Sequence, residues 1–166
     1  MAITAKLRSI WEINDANSPD IGQATYRAKE AHEVEFTAGN GTGQIDKEWT
    51  DTRTLAASAT ENLDLAGSLT NALGNTVVFA KVKAIRIRAS SANTNNVVVG
   101  GAGSNTFTGP FADATDKISI PPGGIFSMIH PTTGWTVTAS TGDILLVANS
   151  SSGTGVDYDI EILGCS

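Results

Sequence analysis

Cysteine is nearly missing from this chain: Cys165 is the only one in 166 residues. A lone cysteine excludes an intramolecular disulfide, so the fold draws nothing from an oxidising compartment. Charge is scarce too, at 17 % against a usual value of about 25 %. No apolar run approaches the roughly 20 residues that a membrane-spanning helix needs. Residues 1–10 (MAITAKLRSI) lack the continuous apolar stretch of a signal peptide. The expectation is a soluble protein made in a cytoplasm, with no membrane partner. The net charge is −6, and the one basic cluster, Lys81–Arg88, has acidic partners in the same chain, which speaks against a nucleic-acid partner.

Residues for chemistry are equally thin. His32 and His130 are the only histidines, and neither has a second ligand at zinc spacing. Asp113 and Asp116 share a turn without the calcium-loop pattern and are read as turn formers. The glycine-rich residues 100–104 (GGAGS) lack the lysine and the following helix of a phosphate loop. No Gly-x-Ser-x-Gly elbow with a triad is present. The expectation is no enzyme, no catalytic residue, no metal and no cofactor.

What fills the chain instead is Thr, Ser, Asn, Ala and Gly. That is the composition of a turn-rich β protein with a neutral polar surface. Such a surface is buried against a partner at low desolvation cost, since charges are the expensive groups to bury.

The longest β-branched and aromatic run is residues 77–88, VVFAKVKAIRIR. Alternate strand residues point to opposite faces. Val82 and Ala84 then face one side, Ile85 and Ile87 the other. The parity flips between Ala84 and Ile85, so either a bulge re-aims the strand or its two halves bury opposite faces. Residues 156–162 answer this strand, with apolar even positions and the acids Asp157, Asp159 and Glu161 at the odd ones. Cross-strand opposite charges stabilise a sheet. Arg86 and Arg88 are therefore expected beside Asp157, Asp159 or Glu161 on the solvent face of one sheet.

Along the rest of the chain, residues 2–13 alternate like a strand and residues 14–20 are a dense turn cluster. Residues 24–29 and 33–36 alternate again, with a short helix over 29–35 as the alternative. Residues 39–43 (GNGTG) read as a flexible break. Residues 1–43 are thus predicted to be an N-terminal arm or hairpin and residues 44–166 a separate body. In the body, residues 44–55 are polar with Trp49 as the one large anchor, and residues 67–75 read as a loop, with an optional helical turn ended at Gly74. Pro121 and Pro122 stop a strand. From Leu63 onward, short strands recur at turn-punctuated intervals. That predicts an all-β fold, an antiparallel β-sandwich of jelly-roll-like type with an extended N-terminal arm.

Aromatics make up 6 % of the chain, and they are the candidates for contact with a partner. Trp11, Tyr26, Phe36, Trp49, Phe107, Phe111 and His130 are the interface candidates. Phe107 and Phe111 flank Gly109-Pro110, and the alternative for them is a cap on the sandwich. Trp135 lies within a strand and is assigned to the core.

Several stretches resemble small proteins of tailed bacteriophages that accompany the major capsid protein. They are TRTL at 52–55, LTNALG at 69–74, VFAKVKAI at 78–85, VGG at 99–101, GPFAD at 109–113, IPPGG at 120–124, GWTV at 134–137 and GDIL at 142–145. The resemblance runs from about Trp49 to the end and leaves residues 1–48 uncovered. It implies a virion structural protein, a capsid decoration or cement protein on the outer surface of the head. It further implies the major capsid protein as partner and a homo-oligomer, with a trimer favoured. The alternatives are a tail, baseplate or fibre component and a carbohydrate-binding module. The low aromatic content counts against the last.

Overall fold

The computed structural model describes residues 2–67 and 69–166. Ser68, inside the stretch read as a loop over 67–75, lies outside the described residues.

Among the described residues all regular structure is β. β1 (Ala5–Asn17) and β2 (Ala24–Ala38) form a long antiparallel hairpin, and β3 (Gln44–Ile45) joins β2 in parallel. β4 (Lys47–Leu55), β8 (Lys81–Ala89), β11 (Ile125–Ile129) and β14 (Val156–Cys165) make an antiparallel sheet in the order β11-β8-β14-β4. β12 (Trp135–Thr136) pairs with the Lys81–Val82 end of β8. β5 (Thr60–Asp64), β9 (Val97–Gly100), β10 (Lys117–Ile120) and β13 (Ile144–Asn149) make a second sheet, β10-β9-β13-β5. β6 (Leu69–Thr70) and β7 (Thr76–Val77) form a small hairpin of their own.

The two larger sheets contribute to one buried cluster. It holds Ile85 and Ile87 from β8, Ile160 and Ile162 from β14, Val99 from β9, and Leu145 and Val147 from β13. Each such side chain contributes about 1.5–3 kcal/mol by leaving water.

A bulge explains the parity flip in the central strand. β14 pairs Leu163 with Ala84 and Gly164 with Val82, which leaves Lys83 as the extra residue. Val82 therefore joins Ile85 and Ile87 in the shared core, while Ala84 packs on the other side with Phe36 and Ile45. The expectation that Val82 and Ala84 share a face is corrected by this one residue.

Other local readings also change. β1 runs on to Asn17, through most of the predicted turn cluster, because every residue from Ala5 to Asn17 has a cross-strand partner on β2. β2 includes residues 29–35, so the helical alternative there is excluded. Residues 47–55 form a nine-residue strand, although Lys, Glu, Asp and Thr dominate it. Loop 67–75 gives way to the β6–β7 pairing, with a tight turn closed by Gly74 N–H donating to Asn71 O at 2.9 Å. The break at Pro121 is a turn in which Gly124 N–H donates to Pro121 O at 2.8 Å. Pro122 supplies its φ, and Gly123 takes the left-handed position at φ +74°, as a type II turn requires.

Candidate functional site

The hairpin arm has two unlike faces. Residues directly opposite each other in an antiparallel pair project to the same side. One side carries Ala5, Leu7, Ser9, Trp11, Ile13 and Asp15 of β1, opposite Phe36, Val34, His32, Glu30, Ala28 and Tyr26 of β2. It is mainly apolar, with Glu30 beside Trp11 and Asp15 beside Tyr26. The other side carries Lys6, Arg8 and Glu12 with Glu35, Glu33 and Lys29, interrupted by Ile10 opposite Ala31.

The charged side is a ladder of ion pairs. Lys6 Nζ contacts Glu33 at 2.9 Å and also contacts Glu35; Arg8 Nε meets Glu33; Lys29 lies 3.4 Å from Glu12. Lys6 and then Arg8 hold the Glu33 carboxyl below the usual carboxylate range. Solvated pairs of this kind add little stability.

The apolar side is covered only at its base. Phe36 is buried with Ile45 and Ala84, and Ala5, Leu7, Val34, Ile129 and Leu163 pack around them. Farther out nothing covers it: Trp11 is 70 % exposed, Tyr26 60 % and Ile13 51 %. At the hairpin tip Ile21 is 94 % exposed. Thirteen strand residues reach roughly 40 Å. A two-stranded ribbon alone in water is marginally stable, so this arm has the make-up of an element completed by contact.

The arm's root is firmly held. Gly39 and Gly43 adopt φ +136° and +68°, which only glycine takes readily. Gly39 N–H donates to Ile45 O at 3.0 Å, and Thr37 N–H donates to Gly43 O at 3.1 Å. From the body, the bulged Lys83, 1 % exposed, donates its ammonium to Gly41 O at 2.5 Å and Gln44 O at 2.7 Å. Residues 39–43, expected to be a flexible break, are thus a hydrogen-bonded anchor. Lys83→Met keeps the volume and leaves two carbonyls without their donor, which costs about 1–3 kcal/mol. Limited proteolysis with a nonspecific protease is expected to cut within residues 39–43 about tenfold faster in this variant. An unchanged rate would show that the ammonium does not hold the root.

The interface candidates divide. Trp11 and Tyr26 lie on the open face of the arm. Phe36 and Trp49 are buried and are corrected to core residues, while Phe107 is buried as the alternative given for it had it, folded inward and not out to a partner. Phe36 seats the arm's base, Trp49 packs in the shared core while its Nε1 donates to Thr70 O at 3.2 Å, and Phe107 turns inward from its loop into the same cluster. Phe111 and His130 are half-buried and line an open shelf of about 580 Å³ with Met128, Pro131 and Trp135. There the His130 ring stands edge-on to Trp135, with centroids 5.5 Å apart. Trp135 is half-buried and packs against the core.

On the outer face of the β11-β8-β14-β4 sheet, Arg86 Nη1 donates to both oxygens of Glu161, at 3.1 and 2.9 Å. Arg88 donates to Asp159 Oδ2 from Nε at 3.0 Å and from Nη2 at 2.5 Å. Arg88, then the Thr52 hydroxyl, hold the Asp159 carboxyl below its ordinary value. Asp157 takes the Thr54 hydroxyl at 2.6 Å and has no arginine. The two arginines of β8 are thus paired with acids of β14 within one chain. In the 113–116 turn, Asp113 accepts from Thr115 N–H and hydroxyl, and Asp116 accepts from Asp113 N–H.

Sequence reasoning overlooked Lys83, Ile13 and Ile21. Ile13 was readable: it has the same parity as Trp11 and Leu7 on β1, and that stripe outruns the base. No helix among the described residues is long and apolar enough to cross a membrane. No protein-family model matches the chain, and no curated protein matches it either.

Proposed function

We propose that this chain is a virion structural protein of a tailed bacteriophage, a capsid decoration or cement protein that binds the outer surface of the expanded head. Its partners in this reading are the major capsid protein and further copies of itself, with a trimer favoured. The body is then a β-sandwich of jelly-roll-like type, a reading supported by the core to which both larger sheets contribute. The observation that carries the function is the arm. A body whose charged sheet face is already paired within the chain projects an amphipathic ribbon with Trp11, Ile13 and Tyr26 uncovered. Such a ribbon supplies binding area without chemistry.

The physical role follows from linkage. A protein that binds only the expanded lattice stabilises it by its binding free energy. Many copies, or linked copies in an oligomer, give avidity without any single strong contact.

The test is cosedimentation of purified protein with expanded, undecorated capsids of the encoding phage, with procapsids as control. Binding to expanded capsids alone, saturating at a fixed ratio per capsid subunit, is the expected result. A truncation lacking residues 1–43 is expected to bind at least about tenfold more weakly once the arm's contribution to avidity is gone. Full decoration by that truncation would remove the arm from the account. No binding by the intact protein would overturn the head assignment and favour a tail, baseplate or fibre location.

A further inference from the structure

The arm and the body both have open strand edges; in the body β4, β5 and β10 are edges as well as β11. Among the described residues β1 pairs only with β2, and β11 pairs only with β8. Open edges of this kind are templates for another strand.

The outward groups of β11 can be assigned. Ala89 N–H donates to Gly124 O at 3.0 Å, and His130 N–H donates to Lys83 O at 2.8 Å. The register between these two points is regular, so Phe126 and Met128 also bond inward to β8. Ile125, Ser127 and Ile129 therefore turn their backbone N–H and C=O away from it.

The faces match as well. Phe126 and Met128 stand opposite Ile87 and Ile85, on the core side, where Met128 borders the shelf of Phe111, Pro131 and Trp135. Ser127 stands opposite Arg86 on the charged side, which also carries the exposed Ile125 opposite Arg88. A ribbon added to this edge continues the sheet, with its apolar stripe over the shelf and its ion-pair ladder in line with the Arg86–Glu161 and Arg88–Asp159 pairs.

We infer that β1 of the arm adds to the β11 edge of a second copy of this chain, laying Trp11 and Ile13 across that copy's shelf. The donor ribbon and the acceptor edge occur together in every copy, and their two faces run in the same order. Area agrees. The part of β1 beyond the covered base, residues 9–17, gives a ribbon face of roughly 30 Å by 10 Å, about 300 Å². A closed assembly in which each copy gives one arm and receives one buries about 600 Å² per copy, the lower end of the range for specific interfaces. The inference rests on the self-association part of the proposed function and names the surfaces involved.

The test uses the full-length protein without capsids. Sedimentation equilibrium is expected to show a closed oligomer at micromolar concentration. Trp11→Glu leaves every buried side chain in place and is expected to weaken association at least about 100-fold, the cost of placing a charge in an apolar contact. Ser127→Pro removes an outward N–H without breaking a β8–β11 bond and is expected to act likewise. Should the proline variant not fold, Trp11→Glu decides alone. For direct placement, Ser127→Cys carries a benzophenone, since Cys165 is buried and does not compete. In a mixture with isotope-labelled protein, cross-links are expected to join it to residues 5–17 of the other copy. A monomer at 100-fold higher concentration (about 100 μM, far above the Kd of standard interfaces), an oligomer that survives Trp11→Glu, or cross-links confined to one copy would each overturn the exchange. A monomer that still saturates expanded capsids would overturn it while leaving the decoration role standing.

Discussion

Glu61→Ala is expected to lower the free energy of unfolding by about 2–4 kcal/mol. The Glu61 side chain, 16 % exposed, sits on β5 and accepts three hydrogen bonds from the facing sheet. The Tyr158 hydroxyl donates to Oε1 at 2.6 Å, and Arg53 donates to Oε2 from Nε at 3.1 Å and Nη2 at 2.5 Å. Tyr158 belongs to β14 and Arg53 to β4, so one carboxylate ties the two sheets along one side of the core. Removing it strands a buried phenol hydroxyl. The arginine loses less, because it is 38 % exposed and keeps Asp51 at 3.0 Å. Urea titration should show a lower midpoint with an unchanged slope, and Glu61→Gln, which retains an acceptor for Tyr158, should lose less. A loss below about 0.5 kcal/mol, the range of ordinary surface substitutions, would refute the tie.

The same cluster sets an alkaline limit. Burial, then the bond to Glu61, pushes the Tyr158 phenol well above its ordinary value. The folded state therefore holds that proton more tightly than the unfolded state does. The resulting stability is fully present below about pH 10, the unfolded value, and falls as pH rises beyond it. In a Tyr26→Phe background, phenolate absorbance should rise together with unfolding. Phenolate appearing in the still-folded protein would contradict the assignment.

Gly164→Ala is expected to cost about 3 kcal/mol, the upper end of overpacking penalties, and to lower the melting temperature by about 10 °C. A Cβ at this position would lie 2.1 Å from Lys81 O and 2.7 Å from Phe79 Cδ1. The first of these atoms is backbone, so relief requires β8 and β14 to separate. They meet here at the bulge, where Gly164 pairs with Val82 and Lys83 is extruded toward the arm's root. The strain should therefore reach the arm, and residues 39–43 should exchange amide hydrogens faster in the variant. A melting temperature within about 2 °C of the parent would show that the bulge tolerates a side chain, since a shift that small corresponds to less than 1 kcal/mol.

Much of the frame was legible because it is local. The acids at odd positions of residues 157–161 announced an amphipathic strand, and Arg86 and Arg88 lie against Glu161 and Asp159. Pro121-Pro122-Gly123-Gly124 announced a turn because ring-fixed φ and a left-handed glycine leave few other shapes. The arm was legible as alternation, and its true extent was not. Asn14 to Asn17 favour turns singly, yet cross-strand pairing with residues 24–27 carries the ribbon through them.

Other features had no local signature. Trp49 and Trp11 are the same residue type in similarly polar stretches; one is 2 % exposed and the other 70 %. Lys81 and Lys83 are two residues apart in one strand, and only the bulge opposite Gly164 sends Lys83 into the interior. Glu61 became the tie between sheets because Tyr158 and Arg53 arrive from strands far along the chain. Alternation and turn chemistry act between neighbours in the chain, so the all-β character, the main strands and turns, and the charge pattern of β8 and β14 could be read from residue order alone. Only the tertiary structure decided which face is covered, which lysine is buried and which aromatics stay open, because burial depends on what distant segments bring to the other side.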